Sequence, residues 1–294
     1  MSDASRLLEL EKAITKVGDL PVVPEVVSEV LRLTDDPDVA LQAVSDEIQR
    51  DPAITAKLLR VSNSPYYGMK QAVGTLKLAL VILGVREVRN IVLGISVMGA
   101  LRNERTERLL QKSDFWNHSA LVGGLARKLG THFRLGLQGE DFIAGLLHDI
   151  GKLLLWRQLD GAYESVFVAS GGHSMRLCEA ERAAFGFDHA DAAALLANKW
   201  NMPETLRDAL AFHHDGDGRS LESAKDPRLA AVVRIANYAA RDDWSAESAE
   251  GIQSLTDNAA WDLVCHGLVF STEERRELLA GFMDQLDEAP ALSL

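Results

Sequence analysis

Residues 144–155 read AGLLHDIGKLLL. The stretch is mostly aliphatic helix, yet His148, Asp149 and Lys152 stand in its middle. Unpaired charge resists leaving water, so an imidazole, a carboxylate and an ammonium in such a run need partners. Neighbouring helical residues point about 100° apart, so His148 and Asp149 can both reach an ion where this helix meets another. Lys152 lies one turn from Asp149, placed to pair with the carboxylate or to hold a phosphate. The plainer alternative is a buried His–Asp hydrogen bond with Lys152 running out to solvent.

Working outward, helical spacing dominates. Leu7, Leu10, Ile14 and Val17 share one face, as do Val26, Val27, Val30 and Leu33. DPAITAKLLRVSNS (51–64) opens with Asp51 as expected N-cap and Pro52 at the first helical position. Its apolar face runs Ile54, Leu58, Leu59 and Val61. TLKLALVILGVREVRNIVLG (75–94) reads as two helices broken near Gly84. Strict apolar/polar alternation is rare, so no sheet is expected and the fold class is all-α. The charged stretch ALRNERTERLLQKSD (100–114) marks a boundary. It divides an N-terminal helical lobe, residues 1–112, from a second helical lobe with C-terminal helices, residues 113–294. Residues 215–228 are expected to form a polar loop, and a helix is expected to begin at Ser271-Thr272-Glu273-Glu274.

The 294 residues are 47% hydrophobic and 25% charged, enough for a sizeable core. A net charge of −12 and a pI of about 5.1 disfavour general nucleic-acid binding. Cys178 and Cys265 are far apart and in no C-x-x-C pair, which fits a reducing cytoplasm rather than a disulfide framework. The start carries Asp3, Glu9 and Glu11, unlike a secretory signal. The apolar run IVLGISVMGAL (91–101) is half the ~20 residues that span a bilayer, so no membrane partner is expected.

Several histidines fall in suggestive places. Asp114 precedes His118 by one turn and is placed to orient its ring, or merely to cap a surface histidine. Asp188 reads as a helix N-cap with His189 in the first turn. His213 and His214 end the helix PETLRDALAFHH (203–214), before Asp215-Gly216. They are either a ligand pair or cations drawn to a helix C-terminus. His132, His173 and His266 lack such context. Jointly the set exceeds one tetrahedral site and suits two adjoining metals, with Asp149 as the bridge. Imidazole and carboxylate suit a divalent transition ion, Fe, Mn, Zn or Ni, in one or two copies. A bridged pair would activate water for phosphoester hydrolysis. Tyr66 and Tyr67 in LRVSNSPYYGM (59–69) either offer a partner contact or pin their loop to the core.

LLHDIGK (146–152) resembles the HD superfamily of metal-dependent phosphohydrolases, a helical core with a His…His-Asp…Asp set. LPVVPEVVSEVLRL, IQRDPAITAKLLRVSNSPYYG, LALVILGVREVRNIVLG, FWNHSALVGGLARKLG, FGFDHADAAALLANKWNMPE and FHHD narrow the resemblance to the HDOD domain, over about residues 18–215. The resemblance implies a two-lobed helical bundle with an HD-like core, and bacterial signal transduction. HDOD domains occur alone or beside receiver, GGDEF or EAL domains, and are regarded as non-catalytic relatives that act through partners. No receiver or cyclase segment stands in these residues, so a stand-alone module, or one recruited to others, is expected.

Carried over by position, His118, His148 and Asp149 match the first three members of the HD set. His189, His213 and His214 match the further ligands of the related HD-GYP phosphodiesterases, and Lys152 matches their lysine. Where the last superfamily aspartate falls, VVRIANYAARDD has Asn237, a neutral and weaker ligand. Asp242 and Asp243 lie about a turn or more further on. The segment after HHD lacks a Gly-Tyr-Pro feature. Two functions are therefore expected to compete. One is a signalling module that binds a protein partner or a nucleotide, its metal site complete or vestigial. The other is a phosphohydrolase of a nucleotide or cyclic dinucleotide, with Asp149 and Lys152 as its catalytic residues.

Overall fold

The computed structural model describes residues 10–12, 14, 20–36, 38–63, 72–112, 114–137, 139–170, 174–214, 220–240 and 254–287. Among these, sixteen α-helices and one 3-10 turn form, and no strand. Leu10 and Ile14 are fully buried, as their shared face predicts. Leu7, Val17, Tyr66, Tyr67, Asp215, Gly216, Asp242 and Asp243 lie outside the described residues.

The N-terminal helices are α1 (Glu25–Thr34), α2 (Leu41–Gln49), α3 (Pro52–Ser62), α4 (Leu76–Leu83) and α5 (Val85–Leu101). Asp51 caps α3 as expected, accepting from the backbone N–H of Ala53 and Ile54. The α4–α5 break falls at Gly84, whose φ of 85° suits glycine. These helices pack chiefly on one another, with α5 at their centre. The charged stretch after them folds into α6 (Glu104–Lys112), which lies against a later helix, α9 (Ile150–Leu159).

Next come α7 (Phe115–His132) and α8 (Glu140–Leu147), then, after α9, α10 (Gly161–Ala169), α11 (Ser174–Phe185), α12 (His189–Lys199) and α13 (Glu204–Ala211). α14 (Pro227–Ala239), α15 (Asn258–Cys265) and α16 (Thr272–Asp287) follow. Ser271 and Glu274 cap α16 reciprocally, the signature read from the sequence. Every residue from Leu229 to Ala239 is buried, Arg234 and Asn237 among them, so α14 is an axial helix enclosed on every side. α7 and α8 cross closely, and a Cβ on Gly145 would stand 2.7 Å from Gly123 Cα. That contact draws α8 inward and leads the chain directly to His148. α5 packs on α8 and so joins the two groups of helices. No described helix is long and apolar enough to cross a membrane.

Candidate metal centre

The helical run around His148 is interrupted. α8 ends at Leu147, α9 begins at Ile150, and Asp149 takes φ −93°, ψ 5°. This sparsely populated conformation recurs at functional sites. It turns the Asp149 carboxylate inward, where the residue is 1% exposed. α9 then meets the start of α12 so closely that a Cβ on Gly151 would overlap the His189 carbonyl. Asp188 caps α12 through a reciprocal capping box with Asp191, which fixes where His189 enters. His213 and His214 follow α13, Asn237 rides on α14 and His118 sits in the first turn of α7.

All these side chains converge on Asp149. Its Oδ1 stands 3.3 Å from His189 Nε2 and 3.6 Å from His213 Nε2. Its Oδ2 stands 3.3 Å from His148 Nε2, 3.9 Å from His118 Nε2 and 2.6 Å from Lys152 Nζ. His214 Nε2 is 2.9 Å from His189 Nε2. Two donor groups thus share one carboxylate: Asp149, His189, His213 and His214, and His118, His148 and Asp149.

Four of the five rings, those of His118, His148, His189 and His213, are held from behind. Nδ1 of His118 donates to the Ala240 carbonyl (2.9 Å), of His148 to Gly145 (2.7 Å) and of His213 to Leu210 (2.6 Å). His189 Nδ1 gives its hydrogen to Glu181 Oε2 at 2.7 Å. A ring bound through Nδ1–H keeps the Nε2 lone pair for the centre. His148 Nε2, Asp149 Oδ1, His213 Nε2 and His214 Nδ1 are buried without a hydrogen-bond partner. Leaving such groups unsatisfied costs about 1–3 kcal/mol each, which a cation among them would remove. The donor set, imidazole nitrogen with carboxylate oxygen, fits a divalent transition ion.

The electrostatics agree with that fit. Burial opposes the Asp149 charge, but His148 and Lys152 outweigh it and hold the carboxyl well below its usual range. Burial lowers His213 to about 3. Burial, then the charges of His213 and His189, take His214 well below an ordinary imidazole. Both are neutral, as ligands must be. His189 is the exception: burial opposes its charge, but Glu181 raises it well above the ordinary value.

Two expected details differ. Asp114 does not orient His118, because its Oδ1 accepts from Asn117 Nδ2 at 2.6 Å and the Ala240 carbonyl takes the ring. Lys152 does not run to solvent; it is 4% exposed and bound to Asp149. Asn237 Oδ1 lies 3.2 Å from His118 Nε2. His132 stands apart, packed on Phe133 and Phe282. Sequence reading passed over Glu181 and Tyr163, although Tyr163 Oη donates to Glu181 Oε1 at 2.5 Å behind His189. The only hint was an acid on the apolar side of α11.

The HDOD domain family model matches residues 20–216. The crystal structure of an HDOD domain protein of unknown function from Geobacter sulfurreducens superposes with a TM-score of 0.77 at 21% identity, covering 98% of this chain and 96% of that one. That likeness shows the fold. A Shewanella amazonensis protein provisionally named a phosphohydrolase superposes at 0.68 with 26% identity, over 94% of each chain. An uncharacterized protein of Treponema pallidum is 26% identical over 213 residues, 68% of this chain and 38% of that protein. The chain thus spans less than half the length of that curated relative. With the family model covering most of its helices, the chain belongs to the HDOD domain family.

Proposed function

We propose that the chain is a bacterial, cytoplasmic signal-transduction module that performs no catalysis and acts through a protein partner. In this reading it holds one divalent transition ion, in the group formed by Asp149, His189, His213 and His214, as a structural brace. The observation that carries it is burial. His148, His189, His213 and Asn237 are 0% exposed, Asp149 1% and His214 5%. A phosphoester has no ready approach to atoms so enclosed. Lys152 Nζ, at 2.6 Å, already neutralises the Oδ2 that a second ion would share, and Asn237 brings that position no charge. The acidic balance of the chain supports a protein partner over nucleic acid.

A second reading, a metal-dependent phosphohydrolase, is favoured by one feature: both oxygens of Asp149 face separate donor groups. When bound there, metal would supply Lewis acidity and a hydroxide at neutral pH. Asp149 would then be shared, with Lys152 beside the substrate phosphate.

The test is metal analysis of protein purified without chelator or affinity tag, beside a phosphodiesterase assay on bis(p-nitrophenyl) phosphate with added Mn, Fe, Zn or Ni. About one ion per chain, lost in a His213→Ala, His214→Ala variant, with no turnover is expected. About two ions, with turnover that Asp149→Asn abolishes, would establish the hydrolase instead.

A further inference from the structure

His214 differs from the other four histidines of the centre. Their rings are fixed through Nδ1, whereas His214 Nδ1 is buried without a hydrogen-bond partner. The direction of this ring therefore depends on the backbone that carries it and on the rings beside it.

That backbone is held by Arg234 of α14, a residue only 2% exposed. Arg234 Nε donates to the Phe212 carbonyl at 2.9 Å. Phe212 closes α13, with φ −109° and ψ 11°. Carbonyls at a helix end lack partners inside the helix and carry partial negative charge, which a guanidinium complements. A peptide unit is planar, so fixing the Phe212 carbonyl also fixes the plane from which His213 departs. One turn back, the Leu210 carbonyl anchors His213 Nδ1. The chain is thus held on both sides of the Phe212–His213 peptide. His214 follows directly, its Nε2 2.9 Å from His189 Nε2. Tyr238, one turn beyond Arg234 on α14, stands beside the His214 ring, with centroids 6.3 Å apart.

A buried guanidinium needs a counter-charge. Asp257 provides one: its Oδ2 is 3.7 Å from Arg234 Nη1, the two side chains being 5% and 2% exposed. Asp257 also caps α15, its Oδ1 accepting the Ala260 N–H at 3.1 Å. The start of α15 is thereby tied, through α14, to the end of α13. Desolvation largely offsets the attraction in such a pair, so it is a poor source of stability. What it does provide is a fixed direction for the carbonyl that precedes two metal ligands. Arg234 and Asp257 both lie after the matched domain.

We infer that Arg234, backed by Asp257, is a positioning residue: it fixes the Phe212–His213 peptide and so delivers His213 and His214 to the metal centre. Arg234 has no acceptor lone pair and is not itself a ligand. The inference rests on the reading that the Asp149 group holds an ion, and it assigns the C-terminal helices a part in forming that group.

The test is titration of the full chain with Co(II), followed by visible absorption, which reports ligand number and geometry. Competition against a chromophoric chelator gives the affinity. Arg234→Met removes the charge and the donor, and should weaken cobalt binding at least about tenfold. It should also alter the spectrum in the same sense as His214→Ala. Arg234→Lys keeps the charge and a donor but not the fork, and should recover part of the affinity. Urea unfolding of the metal-free protein separates positioning from packing. Arg234→Met with altered stability, but with the affinity and spectrum of wild type, would overturn the inference. Should that variant fail to fold, Asp257→Asn decides: the amide still caps α15 but leaves Arg234 without its counter-charge. It should weaken cobalt binding by a smaller factor, and wild-type affinity and spectrum there would overturn the inference equally. Failure of wild type to take up cobalt would remove the occupied centre, and this role with it.

Discussion

Glu181 Oε2 accepts two hydrogen bonds from one residue, the ring Nδ1 of His189 at 2.7 Å and its backbone N–H at 2.9 Å. Glu181 Oε1 is held in turn by Tyr163 Oη at 2.5 Å. Both oxygens are thereby fixed, and with them the direction of His189 Nε2 toward Asp149 Oδ1. A carboxylate behind a metal-ligating histidine sets its orientation and basicity, and its loss typically costs about 10–100-fold in metal affinity. Glu181→Gln should therefore weaken binding of Zn or Mn within that range while the helical content is retained. Tyr163→Phe, which frees one oxygen but keeps the His189 contact, should cost less. Competition against a chromophoric chelator measures both, and equal affinity for Glu181→Gln and wild type would show that Glu181 only packs.

The metal-free protein should lose stability in mild acid because of His213. Its folded value, lowered by burial to about 3, lies below the ordinary 6.5. Unfolded chains then bind the extra proton, so stability is full above pH 6.5 and drains as pH falls toward 3. At pH 5 this amounts to ~2 kcal/mol for His213, with His214 adding in the same direction. His189, shifted upward, works in a different window: its contribution is full below the ordinary 6.5 and is lost only as pH rises above it. Urea unfolding at pH 7 and pH 5 reads the difference. A His213→Gln variant should show a smaller drop, and an identical drop in the variant would remove His213 as its source.

Much of this centre was legible because its parts are local. Asp51 before Pro52, Asp188 before His189 and Ser271 before Glu274 announce helix starts through short-range hydrogen bonds, which sequence spacing encodes. The histidines were conspicuous because imidazoles in apolar context need partners. The relations that failed to show are long-range. The Ala240 carbonyl behind His118 is 122 residues away in the chain, and no side-chain pattern marks a carbonyl. Glu181 looks like any helical acid until α11 and α12 are packed. The turn at His148 and Asp149 was hidden by the aliphatic residues around it, since the turn serves the site and not the helix.

Gly151 tests whether backbone contact sets the centre. Any Cβ there overlaps the His189 carbonyl, a main-chain atom that cannot rotate aside. Gly151→Ala should push α9 from α12 and cost about 1–3 kcal/mol, the usual penalty of overpacking. It should also separate Asp149 from His189 and lower metal retention. Thermal unfolding together with metal content checks this, and a variant of wild-type stability that keeps its ion would show that the two helices are free to slide.

Asn237 sits against His118 at 3.2 Å, where an amide oxygen faces a ring nitrogen whose Nδ1–H is already given to Ala240. Asn237→Asp keeps the shape and adds one negative charge beside His118. If the amide is what leaves the His118 and His148 side without an ion, the carboxylate should raise metal content from about one to about two ions per chain. Burial is unchanged by the substitution, because Asn237 is itself 0% exposed. Hydrolysis of bis(p-nitrophenyl) phosphate should therefore remain undetectable even with the second ion in place. Gain of the ion together with turnover would show that charge, and not access, silences this centre, and would return the chain to the phosphohydrolase reading. No gain of metal would mean that Lys152, holding Asp149 Oδ2 at 2.6 Å, is what occupies the second position.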